Sequence, residues 1–169
     1  MANYYTQPNG TKEISLIQEN ELVGKLHFNN ALESKASILL PDNSIYTITP
    51  LSFWKNTLVL KDNPDNVLAS IKMSWKNGNI IIRSKLDNEE KEFVFTPKKT
   101  FKGIYALVGN KGEELLTIEC HFKWNRFNYD YKITTNDNVF GKFGNPDILL
   151  FIAIYCTNYY ITSITIIIA

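Results

Sequence analysis

The end of the chain decides the fold: residues 145–169 run Asn-Pro-Asp-Ile-Leu-Leu-Phe-Ile-Ala-Ile-Tyr-Cys-Thr-Asn-Tyr-Tyr-Ile-Thr-Ser-Ile-Thr-Ile-Ile-Ile-Ala. After Asp147 this segment contains no charged residue. Asn145 is a favoured N-cap, Pro146 fits the first helical position, and Asp147 suits the positive end of the helix dipole. The sequence therefore predicts a helix without a polar face. Such a helix has to be surrounded by protein or by lipid.

The sequence leaves several interpretations of this segment open. A transmembrane helix is long enough, since residues 148–169 span about 33 Å, although Asn158 would then lie near the bilayer centre. A helix inside a β-barrel explains the apolarity on every side, and its polar groups could bond to the barrel. Alternatively the helix covers residues 146–160, and residues 161–168 either continue it or form a last strand. A hairpin that turns at Thr157-Asn158 is the remaining alternative.

Residues 14–143 show short apolar segments that are separated by turn residues. Residues 23–28 alternate with a period of two, which is typical of a strand. Residues 76–79, Lys-Asn-Gly-Asn, give the clearest hairpin signal because Asn-Gly tolerates a positive φ. The last strand is predicted at Val139–Phe143. Turns every 8 to 12 residues or so are typical of a β-sandwich or a β-barrel.

Length and charge exclude several classes of protein. The 169 residues are enough for a single domain, and 18 basic against 17 acidic residues give a net charge of +1. A nucleic-acid-binding protein is usually more basic, so nucleic acid is not expected as a partner. The first residues lack the pattern of a signal peptide, and the two cysteines are expected to be reduced thiols. A cytoplasmic location is therefore predicted.

The residues give no support for catalysis or for a metal site. Cys120 and His121 are neighbours on a predicted strand, so they point to opposite faces and cannot act as a nucleophile and its base. The Asp62–Asn66 segment lacks the glycine and the final glutamate of a calcium loop. We therefore predict that the protein is not an enzyme, with no catalytic residue, no metal and no cofactor.

Two groups of basic residues lie beside aromatic residues. Lys98, Lys99 and Lys102 surround Phe101, and Lys123 and Arg126 flank Trp124. Cations next to aromatic rings can bind anionic head groups while the rings enter the membrane interface. These five basic residues are the candidate ligand-binding residues.

An all-β chain that ends in one hydrophobic helix resembles the Tubby C-terminal-like superfamily, which includes LURP-one-related and phospholipid-scramblase-like proteins. Four segments are similar to strand patterns of that superfamily: Val67–Ile71, Gly112–Ile118, Tyr129–Ile133, and Val139–Phe143 followed by Asp147–Leu150. The resemblance implies one domain over residues 1–169. It also implies a closed antiparallel barrel of about a dozen strands around a hydrophobic C-terminal helix.

The resemblance also implies a function. Tubby-like relatives bind phosphoinositides through basic residues, so we expect a non-enzymatic binding or scaffold domain that binds anionic lipid peripherally. Its partner would be an anionic membrane surface or another protein, and the sequence leaves the oligomeric state open. The alternatives are a tail-anchored, scramblase-like membrane protein and a small-molecule-binding barrel.

Overall fold

A computed structural model describes most of the chain. The described residues are 1–29, 34–52, 55–74, 78–99, 102–123 and 128–168, except for the side chains of residues 55, 123, 128, 129 and 164–168. Trp124 and Arg126 therefore lie outside the described residues.

Twelve antiparallel strands form one closed barrel, as the resemblance implied. Each strand pairs with its neighbours in sequence, and β1 pairs with β12 to close the barrel. The strands are β1 Asn3–Asn9, β2 Glu13–Gln18, β3 Glu21–Phe28, β4 Ala36–Leu39, β5 Ile45–Ser52, β6 Lys55–Asn63, β7 Asn66–Met73, β8 Ile80–Ser84, β9 Lys91–Lys99, β10 Ile104–Gly109, β11 Glu114–Lys123 and β12 Asn128–Thr135.

In the described residues, two helices follow the strands, and the second lies inside the barrel. Helix α1 covers Asp137–Phe140 and helix α2 covers Pro146–Ile168. Every side chain from Ile148 to Thr157 is at most 2% exposed. A helix that is buried on all its faces is thus enclosed by the barrel wall. Within the described part of the chain, no helix has the length and hydropathy needed to cross a lipid bilayer.

The inward faces of the strands supply the other half of the core. In β3, Leu26 and Phe28 are buried whereas Lys25 and His27 are not, as the period of two predicts. Gly24 lies on the same inward face. A Cβ atom at this position would lie 2.8 Å from the carbonyl oxygen of Leu39 and 3.0 Å from the ring of Phe151. The missing side chain therefore lets α2 approach the wall closely.

Several polar groups of α2 have partners on the helix itself or on the barrel, whereas the buried hydroxyl of Tyr160 has none among the described residues. The hydroxyl of Tyr155 donates a hydrogen bond to the carbonyl oxygen of Ser34 at 2.8 Å. The hydroxyl of Thr157 donates to the carbonyl oxygen of Ala153 at 2.9 Å. The hydroxyl of Tyr131 lies 3.4 Å from the amide oxygen of Asn158. These bonds lower the cost of burying polar groups in an apolar lumen.

The predicted strand at Val139–Phe143 is wrong. Residues 137–140 form α1, and residues 141–144 form turns that lead to α2. Phe140 and Phe143 are three residues apart, so the helical turn places them together, 6.3 Å between ring centroids. Phe143 also contacts Phe93 edge-on at 5.3 Å. The segment thus packs against the barrel core instead of pairing with a strand.

The sequence also predicted the first strand too late in the chain, and it did not decide where the C-terminal helix ends. The barrel begins with β1 at residue 3, before the predicted start at residue 14. In β1, Tyr4 and Thr6 are buried between exposed neighbours. Residues 161–168 continue α2 and do not form a final strand.

Asp137 ties the two ends of the barrel sheet together. Its carboxylate lies 2.7 Å from the amino group of Met1, and it accepts hydrogen bonds from the N–H of Ala2 at 3.0 Å and the hydroxyl of Thr135 at 2.7 Å. Hydrogen bonds from the N-terminal amine and from Thr135 hold the pKa of Asp137 below its usual value. The ionised form of this residue therefore favours the closed barrel.

Gly24→Ala should destabilise the protein by about 1–3 kcal/mol, the usual cost of overpacking a core. The added methyl group meets a backbone carbonyl on one side and the enclosed helix on the other, and neither can move freely. Chemical denaturation measures the free energy of unfolding. His27→Ala on the same strand is the control and should cost less than about 0.5 kcal/mol, because His27 is exposed. Equal stability of the two variants would contradict this packing.

Asp137→Asn should lower the melting temperature at neutral pH, because the variant loses the charge that bonds the chain start. A carboxylate with a lowered pKa stabilises the folded state above its ordinary pKa of 3.8, and this stabilisation is lost as the pH falls through the folded-state value. The melting temperatures of wild type and variant should therefore converge below pH 3.8. Asp65→Asn, in the β6–β7 turn, is the control. A difference that grows on acidification would overturn this role.

Candidate functional site

The barrel has two different ends because its strands alternate in direction. At the entry end lie the start of α2, α1 and the turns after β2, β4, β6, β8 and β10. At the exit end lie the connections after β1, β3, β5, β7, β9 and β11. Tyr159 of α2 borders a pocket together with Ser52 and Asn56, which lie at the exit ends of β5 and β6. The helix therefore runs from one end to the other.

Charge is divided between these two ends. In the connections at the entry end, carboxylates outnumber lysines: the acidic residues are Glu19, Asp42, Asp65, Asp87, Glu89, Glu90, Glu113 and Asp137, and the basic ones are Lys85, Lys111 and Lys142. In the connections at the exit end, the charged residues that the structure describes are Lys12, Lys35 and Lys102. Although the net charge of the chain is near zero, the described connections thus form a positive end and a negative end.

The predicted group of Lys98, Lys99 and Lys102 lies at the exit end. Lys98 and Lys99 end β9, Lys102 follows them, and all three are exposed. The ammonium group of Lys98 forms a 2.7 Å ion pair with Glu114, and both side chains are nearly half exposed. Because Glu114 compensates part of that charge, Lys99 and Lys102 are the stronger candidates for an anionic ligand.

The second predicted group is only partly described. Lys123 is the last residue of β11. Its backbone therefore lies at the exit end of the barrel, where β9 also ends. The side chain of Lys123 and all of Arg126 lie outside the described residues. Only β10 separates β9 from β11 in the strand order, so the backbone of Lys123 lies near the end of β9.

Sequence reasoning missed Lys12, Lys35 and Lys72. Lys12 lies in the hairpin between β1 and β2, Lys35 precedes β4, and Lys72 is the next-to-last residue of β7. All three are exposed. They are isolated in the sequence, and only closure of the barrel brings them to the end that holds Lys99. No local signal could have found them.

A pocket of about 260 Å³ lies at the exit end between α2 and the barrel wall. Its polar lining consists of Ser34, Ser52, Asn56, Thr57 and Tyr159, and its apolar lining of Pro50, Leu58 and Met73. No charged side chain lines the described part of this pocket. The next residue, Tyr160, packs against another part of the barrel wall: its ring stacks on Tyr105 at 5.5 Å between centroids and lies 6.0 Å from Phe95.

The cysteines and histidines do not form a reactive pair. Burial raises the pKa of the Cys120 thiol to about 12, so this thiol is protonated at neutral pH. The His121 side chain is 60% exposed and lies 3.9 Å from the carboxylate of Glu119. Cys156 is fully buried in α2, and burial raises the pKa of its thiol as well. Among the described residues, no group of three or more His, Cys, Asp or Glu side chains could hold a metal ion.

No model of a protein family, no curated protein and no solved structure matches this chain. The distribution of charge and apolar surface over the barrel is therefore the observation that bears on function.

Both thiols of the native protein should react slowly with iodoacetamide at neutral pH. The thiolate is the reactive species, and burial disfavours it at Cys120 and Cys156. Unfolding in guanidinium should expose both and restore the rate of a free thiol, which mass spectrometry can follow site by site. Fast labelling of Cys120 in the native state would show an accessible thiolate and contradict this environment.

Proposed function

We propose that the protein is a non-enzymatic binding domain of the Tubby-like type that docks peripherally on anionic lipid through the exit end of its barrel. The observation that supports this most directly is the segregation of charge along the barrel axis. The exit end presents exposed lysines from the β1–β2, β3–β4 and β9–β10 connections. Its ligand class is anionic head groups of the phosphoinositide type.

The strength of such binding follows from simple electrostatics. A lysine close to an anionic membrane surface contributes about 1 kcal/mol. Several lysines at one end therefore give weak binding, which is peripheral and reversible. Since the Debye length is about 10 Å at 0.1 M salt, this binding should weaken steeply when salt is added.

The negative charge of the entry end also favours docking through the exit end. Its turns carry Asp42, Asp65, Glu89 and Glu90, all of which are exposed. An anionic membrane repels this end and attracts the other, so the barrel axis should stand steeply on the membrane plane. The barrel can take this orientation on the membrane even though the net charge of the protein is small.

Lys99→Gln with Lys102→Gln should weaken partitioning onto vesicles that contain phosphatidylserine or phosphoinositide by roughly 30-fold, since each lost charge removes about 1 kcal/mol. Lys111→Gln with Lys142→Gln makes the same change in net charge at the entry end and should leave partitioning nearly unchanged. Vesicle co-sedimentation at low and high salt measures both.

Two outcomes would contradict the proposal. Equal loss of binding in both double variants would show that net charge alone governs adsorption and that the exit end has no special role. Absence of wild-type binding to any anionic vesicle at low salt would remove anionic lipid as the ligand. Thermal melting of both variants near the wild-type temperature shows that neither result comes from unfolding.

A further inference from the structure

An apolar patch lies on the outer face of the barrel wall, on strands β1 to β5. Tyr5 is 53%, Leu22 46%, Leu39 40% and Ile45 55% exposed. They are four of the eight large apolar side chains that are exposed in the described part of the chain. The solvent face of an antiparallel sheet is normally polar, so this concentration is unusual. We call these four residues and the partly exposed Ile17 the wall patch.

The strand register makes the side chains of the wall patch neighbours. Tyr5 pairs with Ile17, and Ile17 pairs with Leu22, so these three form one row across β1, β2 and β3. Leu39 pairs with Ile45 and forms a second row across β4 and β5. Directly paired residues on one face of a sheet have Cβ atoms about 4.5–5.5 Å apart.

Val23 joins the two rows. In the register of β3 and β4, Lys25 lies opposite Leu39. Val23 lies two residues earlier on the same face of β3 and is half-buried, so it is the diagonal neighbour of Leu39, about 7–8 Å away. The wall patch is therefore one continuous surface.

No other part of the described chain covers the wall patch. None of its five residues packs against the core, and the connections beside it, residues 19–20 and 40–44, are described in full. On the outer face of β8, β9 and β11, by contrast, the exposed residues include Arg83, Glu92 and Glu119. A contiguous apolar patch that is bordered by polar residues is typical of an interaction surface.

Opposite charges border the wall patch along the barrel axis. On its entry side lie exposed carboxylates: Glu19, Glu21 and Asp42. On its exit side lie lysines: Lys12, Lys25 and Lys35. The ammonium group of Lys25 forms a 3.1 Å ion pair with Glu13, so the exit side keeps a net positive charge.

We propose that the wall patch binds a second copy of this chain, with the two barrels antiparallel and related by a twofold axis. A surface with opposite charges on either side of an apolar centre is complementary to itself. In a twofold contact, the same surface serves both partners. The antiparallel orientation places the carboxylates of each copy on the lysine side of the other, whereas parallel barrels would place like charges together.

This dimer goes beyond the proposed function and does not depend on it. The wall patch lies in the entry half of the barrel, so both exit ends stay free and point in opposite directions. A standard interface involves about 20–30 residues on each side, with an apolar centre and a polar rim. Because the apolar centre here is small, the dimer should dissociate on dilution.

Sedimentation equilibrium over a series of protein concentrations, at low and high sodium chloride, tests the dimer with two pairs of single variants. Leu22→Ser removes an apolar side chain from the wall patch, and Val67→Ser removes one that is 40% exposed on β7. Glu21→Lys reverses a charge beside the wall patch, and Glu89→Lys makes the same change in net charge in the β8–β9 turn.

Wild type, Val67→Ser and Glu89→Lys should dimerise with similar dissociation constants. Leu22→Ser should raise the dissociation constant by roughly 10- to 30-fold, since each dimer loses two half-exposed leucine side chains. Glu21→Lys should raise it by roughly fivefold to tenfold at low salt and less at high salt. Wild type should dissociate more readily at high salt. Similar melting temperatures of all five proteins show that no change comes from unfolding.

Several results would overturn the proposal. One is a wild type that stays monomeric at every concentration, and another is a dimer that Leu22→Ser and Val67→Ser weaken equally. A dimer that tightens with added salt or with Glu21→Lys would contradict the antiparallel orientation. A monomeric wild type whose sedimentation with phosphatidylcholine–phosphatidylserine vesicles falls in Leu22→Ser, but not in Val67→Ser, would assign the wall patch to lipid instead of a second copy.

Discussion

A helix that is apolar on every side cannot remain in water, and this constraint determines the rest of the molecule. An α-helix with its side chains is about 10–12 Å across. A small barrel of about eight strands is filled by its own side chains, so a wall that holds a whole helix as well needs more strands. The twelve strands here supply that wall, and the residues from Ile148 to Thr157 occupy its lumen. The inward side chains of the strands and the side chains of the helix therefore form one core.

The enclosed helix also makes the two ends of the barrel unequal. At the entry end, Asp87 accepts hydrogen bonds from the N–H of Gly144 and from Lys91, which holds the start of α2 against the β8–β9 turn. At the exit end, the side chains of α2 are only partly buried after Thr157, and the charged residues described in the connections are lysines. Antiparallel strands send alternate loops to opposite ends, so charges that alternate between loops along the sequence become separated in space. The proposed lipid-binding face arises from this arrangement.

Much of the fold could be predicted from the sequence because its signals are local. The uncharged run after Asp147 predicted a helix without a polar face, the resemblance implied that a barrel encloses it, and Asn77-Gly78 predicted the hairpin between β7 and β8. The Val139–Phe143 segment alternates as well as any strand, but its helical turn depends on contacts of Phe140 and Phe143 with the core. Strand β1 forms a local hairpin with β2 as well as pairing with β12, but its sequence, Asn-Tyr-Tyr-Thr-Gln-Pro-Asn, contains Pro8 and lacks an alternating run of aliphatic residues, so its local signal is weak. The positive end was found only in part: Lys99 and Lys102 form a local group, whereas Lys12 and Lys35 join them only through closure of the barrel.

Native-state hydrogen exchange tests most directly whether the barrel and its helix form one cooperative core. The amides of residues 149–157 should exchange only when the whole protein unfolds, at the same rate as the most protected amides of β10 and β11. Mass spectrometry of proteolytic fragments gives both rates in one experiment on the unmodified chain. Exchange of the helix under native conditions, with the strands still protected, would mean that the barrel stands without its helix and would contradict the account.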